Sequence, residues 1–202
     1  MDTTNIPLIV LVITALIVVG LLGVAFGRQR TKRLQEKFGL EYERTIHELG
    51  NQRRAEHELK ARLDHVKALE IHPLSLEEID RYSSRWQATQ LEFVDDPLTA
   101  MQKADQLIAE VMQAKGYPVE DFEQQAADIS VDYPDLVMDY RGLHLIAVKG
   151  DEENVSTEKM RQAMVHGLAL FENLVKSDEI VEEIVVEGEV VEEVVEKKEN
   201  AS

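Results

Sequence analysis

The stretch IPLIVLVITALIVVGLLGVAF, Ile6 to Phe26, runs for 21 residues without a charged side chain and is followed at once by Arg28, Arg30, Lys32 and Arg33. As a helix rising about 1.5 Å per residue it reaches roughly 31 Å, which matches a hydrocarbon core of about 30 Å. Fifteen of its residues are Leu, Ile, Val or Phe, each favouring insertion by roughly 0.3 to 0.6 kcal/mol, so the sum outweighs small penalties from Pro7, Thr14 and the glycines. The reading is one transmembrane helix, with Ile6, Leu11, Leu16, Leu21 and Phe26 marking its course. A cleaved signal peptide is the alternative; residues 1–5 carry no Lys or Arg, and the apolar run exceeds the 7 to 15 residues of a usual signal core.

The flanks set the expected orientation. Asp2 is the only charge before the run, and Lys and Arg resist translocation. The expectation is therefore an inner (plasma) membrane protein, N-terminus outside and remainder cytoplasmic, with Arg28, Arg30, Lys32 and Arg33 serving as topology signal and headgroup contacts. Gly23 and Gly27 have the small-xxx-small spacing that lets two helices approach, which leaves a homo-oligomer open.

The net charge of −17 is graded along the chain: +3 over residues 28–72, −11 over 73–176 and −8 from 177 onward. An acidic domain is repelled by phosphate backbones, so nucleic acid is not an expected partner. The chain has no cysteine, which excludes disulfides, thiol nucleophiles and Cys-based metal sites. Few prolines and glycines in a sequence rich in Ala, Leu, Glu and Gln point to an all-α fold.

Four parts follow from this: an anchor over 1–27, a basic juxtamembrane segment and stalk over 28–72, an acidic helical domain over 73–176, and a Val/Glu tail over 177–202. Leu34, Phe38, Tyr42, Ile46 and Leu49, then Leu59, Leu63 and Val66, predict one long polar helix from Leu34 to Leu69, with a bend near Gly50. It resembles a stalk or short coiled coil; straight, it would carry the next domain about 54 Å. Folding back on the globular part is the competing arrangement.

Beyond Pro73, Ser75 and Glu78 have capping-box spacing, and Ile79, Tyr82, Trp86 and Phe93 continue as an apolar face. Asp96 and Pro97 open the next helix, striped by Leu98, Met101, Ala104, Ile108 and Val111 and stopped at Gly116. Three more stripes follow: Val119, Phe122, Ala126 and Ile129; Val137, Tyr140, His144 and Val148 after Pro134; and Met160, Ala163, Met164, Gly167, Phe171 and Leu174 after Ser156 or Thr157. Five such helices bury their faces most simply as a compact antiparallel bundle. The tail repeats Val-Val-Glu units and reads as disordered, with a partner-induced helix or strand as the alternative.

Chemistry-bearing patterns are sparse. His47-Glu48 and His57-Glu58 start a zinc-protease motif, but Asn51 and Ala61 stand where its second histidine belongs. His65 and His72 lack a third ligand nearby, and His144 and His166 read as core histidines. Asp128, Asp132, Asp135 and Asp139 are the one carboxylate cluster with acid–base or cation potential; around Tyr133-Pro134, helix capping explains Asp132 and Asp135 more simply. No phosphate loop, dinucleotide fingerprint, nucleophile elbow or EF-hand occurs. The expectation is a non-enzymatic, cofactor-free protein-interaction module; the alternative is a tethered ligand sensor or enzyme with a pocket near Trp86, Tyr140 and His144.

Three segments, Phe93-Val94-Asp95-Asp96-Pro97, Gly116-Tyr117-Pro118-Val119 with Asp121-Phe122, and Arg161-Gln162-Ala163-Met164-Val165-His166, resemble a family of uncharacterised bacterial single-pass membrane proteins. The resemblance extends from the anchor to about Val175 and implies one transmembrane helix, a charged helix and an α-helical domain. It implies no activity.

Overall fold

The computed structural model describes residues 27–150 and 155–175. The anchor, with Ile6, Leu11, Leu16, Leu21 and Phe26, and the Val/Glu tail lie outside the described residues. The described residues are all-α, with no strand among them. None of their helices is long and apolar enough to cross a membrane. In order they are α1 (residues 27–38), α2 (Leu40–Leu49), α3 (Gln52–Ala68), α4 (Leu76–Glu92), α5 (Pro97–Ala114), α6 (Phe122–Asp132), α7 (Val137–Lys149) and α8 (residues 157–175). Two compact units divide between Lys60 and Ala61, within α3, ahead of the boundary expected at Pro73.

In the first unit the expected stalk is not one helix. Gly39 takes φ 50° with ψ −123°, and Gly50 is left-handed with φ 61°. Both are conformations that side-chain-bearing residues avoid, so the helix stops at each. Gly50 donates its N–H to the Ile46 carbonyl, and the Asn51 side chain then accepts from the Arg54 N–H to start α3. Chain direction reverses: Thr31 of α1 donates to Glu56 of α3 at 2.8 Å, and Tyr42 of α2 donates to the same carboxylate at 3.1 Å. The kink at Gly39 also changes which side of α2 is covered. Leu34, Phe38 and Tyr42 stay buried, but so do Glu41 and Thr45, while Leu49, part of the expected stripe, is exposed.

The second unit is a helical bundle centred on α5, which packs against both α4 and α7. Ser75 and Glu78 form the expected capping box, and Asp96 accepts from the Thr99 N–H with Pro97 in the first turn of α5. Arg85 pairs with Glu110 and Glu92 with Lys103, so α4 and α5 run antiparallel. Met101, Ala104, Leu107, Ile108, Val111 and Met112 of α5 are buried, each of the larger ones contributing about 1.5 to 3 kcal/mol. Gly116 closes α5 at φ 98°; a Cβ there would stand 2.5 Å from the Glu70 carbonyl oxygen, so only glycine fits both the turn and the space.

Helix α6 starts at Phe122 because Asp121 caps it, leaving Val119 in the preceding loop. Pro134 lies in the turn before α7. On α7 the buried face is Val137, Tyr140, Leu143 and Ala147, whereas Val148, placed on the buried stripe by spacing, is 63% exposed. Helix α8 is capped by Ser156, which accepts from the Lys159 N–H. Gly167 admits Leu143 and Trp86 at close range, and Phe171 stacks on Trp86 with ring centroids 4.6 Å apart.

Candidate functional site

The four basic residues expected at the headgroups, Arg28, Arg30, Lys32 and Arg33, are all exposed on α1. Arg30 and Arg33 lie one turn apart and share a side of the helix. Together with Gln29 and Leu34 of α1 and Lys60 of α3 they line an open groove of about 520 Å³. No carboxylate among the described residues forms an ion pair with Arg30, Arg33 or Lys60. Lys60 joins them because α3 runs back along α1: Glu56 meets Thr31, and one turn later Lys60 stands beside the turns that carry Arg30 and Arg33. Sequence reading missed Lys60, since nothing local links it to residues thirty positions earlier.

The same hairpin is knitted by Glu56. Its Oε1 accepts from Thr31, Tyr42 and Gln52. Burial pushes this carboxyl up, but those hydrogen bonds, helped by the Arg30 charge, outweigh it and hold the group below the ordinary glutamate value.

In the bundle the acidic cluster disperses into separate roles. Asp128 is fully buried; its Oδ1 accepts from Gln124 at 2.8 Å, and its Oδ2 has no hydrogen bond but lies 3.7 Å from His65 Nε2. Burial raises its pKa, against the pull of Gln124, His65 and Arg62. Asp132 accepts from the Tyr117 hydroxyl at 2.7 Å, Asp139 pairs with His166 at 2.7 Å, and Asp135 is exposed. Capping, expected for Asp132 and Asp135, is not their role at α7: that helix starts at Val137, and its N-cap residue, Leu136, makes no side-chain cap. Ser130, beside Asp128 in sequence, donates to the Ala127 carbonyl and accepts from Arg62. That serine thus links Arg62 to the α6 backbone in a buried polar patch.

Trp86, Tyr140 and His144, expected around one pocket, have separate surroundings. Trp86 borders a shallow groove of about 320 Å³ between α4 and α8, with Ile79, Ser83, Gln87, Leu168 and Phe171. Tyr140 donates to Gln125 Oε1 at 2.9 Å in the interior, where burial pushes its phenol up. His144 stacks on Phe122 and bonds Asp105 at 2.9 Å. Among the described residues no group of three or more His, Asp or Glu is placed to hold a metal ion. No protein family, curated protein or solved structure matches the chain.

Proposed function

We propose that this protein is a single-pass inner-membrane protein that holds a helical domain on the cytoplasmic side as a protein-interaction module, with a role in binding rather than catalysis. The observation that carries the reading is the juxtaposition of the 21-residue apolar run with four exposed basic residues on the first two turns of α1. Such a flank is retained on the cytoplasmic side of the membrane and meets anionic headgroups. The interaction role is supported by α7, which is apolar on both sides. Its inner face belongs to the core, while Met138, Leu145 and Val148 are exposed at spacings of seven and three along its outer face. A stripe of that kind is what a helix offers a partner protein. The acidic Val/Glu tail, charged −8, would be a second contact, and kinship with the bacterial single-pass family resembled in sequence belongs to the same proposal.

The test is in-cell crosslinking of the full chain with mass spectrometry, alongside Leu145→Asp/Val148→Asp and a chain ending at residue 176. A partner lost in the double variant supports the α7 face, and one lost with the tail places recognition there. Recovery of no crosslinked partner, together with turnover of a small molecule by the purified chain, sinks the reading.

A further inference from the structure

We propose that the groove between α1 and α3 is a binding site for one anionic phospholipid, with Arg30, Arg33 and Lys60 holding its phosphate. The inference rests on the membrane reading above and goes beyond it. A topology signal needs only charge next to the apolar run, whereas this site needs a cation supplied from another helix.

Three observations converge. The first is charge: three cations line the groove and no acid does, the Glu56 carboxylate that feels the Arg30 charge lying outside the lining. Guanidinium groups one turn apart match the oxygens of a phosphate diester, and an ammonium adds a point charge beside them. The second is depth. Arg30 and Arg33 follow Gly27, the first residue of α1, by three and six residues, which is about 5 and 9 Å of helical rise. A headgroup layer is about 5 to 8 Å thick on each side, so long arginine side chains at these heights reach lipid phosphates. The third is the floor: Leu34 is buried beneath the groove, and its apolar lining suits the glycerol and first acyl carbons of a lipid better than a freely hydrated ion.

The experiment uses the full chain, extracted in mild detergent from membranes and reconstituted in nanodiscs of phosphatidylcholine with one-fifth phosphatidylglycerol, then analysed by native mass spectrometry. One phosphatidylglycerol is expected to remain bound in preference to phosphatidylcholine. Lys60→Gln lowers that retention roughly fivefold, as expected for loss of one cation near an anionic lipid. Lys60→Arg keeps it, and Lys32→Gln, outside the groove lining, changes it less than twofold. The proposal is overturned if Lys60→Gln retains lipid as the parent chain does, or if Lys32→Gln loses as much. Displacement of the bound lipid by inorganic phosphate also overturns it, because the site would then be one for free phosphate. A full chain that appears in the supernatant after carbonate extraction of membranes defeats the underlying membrane reading instead, so the two failures are distinguishable.

Discussion

Glu56 and Asp128 are both carboxylates drawn into the folded protein, one in each unit, and they titrate in opposite directions. Glu56 is half-buried and receives hydrogen bonds from Thr31, Tyr42 and Gln52; its pKa falls. Asp128 is completely buried with one hydrogen bond from Gln124 and a histidine at 3.7 Å; its pKa rises. Burial pushes both the same way. What separates them is the number of donors that meet the charged form. The contrast extends to the units: the hairpin of α1 to α3 gathers its polar atoms on one carboxylate, whereas the bundle rests on an apolar core in which Asp128 is tolerated.

The largest effect should come from that apolar core. Phe171→Ala removes the ring stacked on Trp86 and should cost the bundle about 3 to 5 kcal/mol, read by denaturant unfolding of the full chain followed through the sole tryptophan. Next, Glu56→Ala leaves three donors without their shared acceptor and should destabilise the hairpin by about 2 kcal/mol, visible as faster amide exchange confined to residues 27–60. The pH sign follows from the lowered value. The stability due to Glu56 is present above the ordinary 4.5 and is lost as pH falls through the folded-state value. If protection of the hairpin amides, taken relative to their intrinsic exchange rates, rose on acidification, the reading of Glu56 would be wrong.

Asp128→Asn should act with the reverse sign and a smaller size. With a raised folded-state value, Asp128 favours the fold while protonated, and that advantage is lost as pH rises from the ordinary 3.8 through the folded-state value. The asparagine variant should therefore be as stable as the parent at pH 7, or more so by about 1 kcal/mol. It should also lack this part of the acid dependence in the same tryptophan-monitored unfolding. Glu158→Gln, which breaks an exposed pair with Arg161, should leave the unfolding midpoint unchanged although Arg161 holds the Glu158 carboxyl at about 2. A measurable loss there would mean that hydrogen bonds stabilise this protein independently of burial, and the contrast between Glu56 and Asp128 would lose its basis.

What could be read beforehand was local. The Ser75 and Glu78 capping box, Asp96 with Pro97 and the stop at Gly116 need only residues within one turn, and each is present. The all-α class and the bundle follow from stripes that repeat every three or four residues. The stalk failed because Leu34, Phe38 and Tyr42 keep a four-residue spacing straight across Gly39, so periodicity hides the break that the glycine makes. Val148 was misplaced because α7 is apolar on both sides, leaving spacing unable to choose between faces. Lys60 in the basic groove and the His65 and Arg62 surroundings of Asp128 depend on helices brought together from distant positions, which a single sequence does not encode as a pattern.

The close approach of Gly116 to Glu70 bears on the order in which the chain takes shape as it is made. The segment joining α3 to α4 is pinned by the turn after α5: the His72 N–H donates to the Lys115 carbonyl, and the Glu70 carbonyl lies against the glycine. The ribosome delivers that turn about 45 residues after the segment itself, a delay on the order of seconds at ordinary rates of synthesis. Throughout that interval the start of the bundle waits, helices capped but unclasped, for a residue that has no side chain.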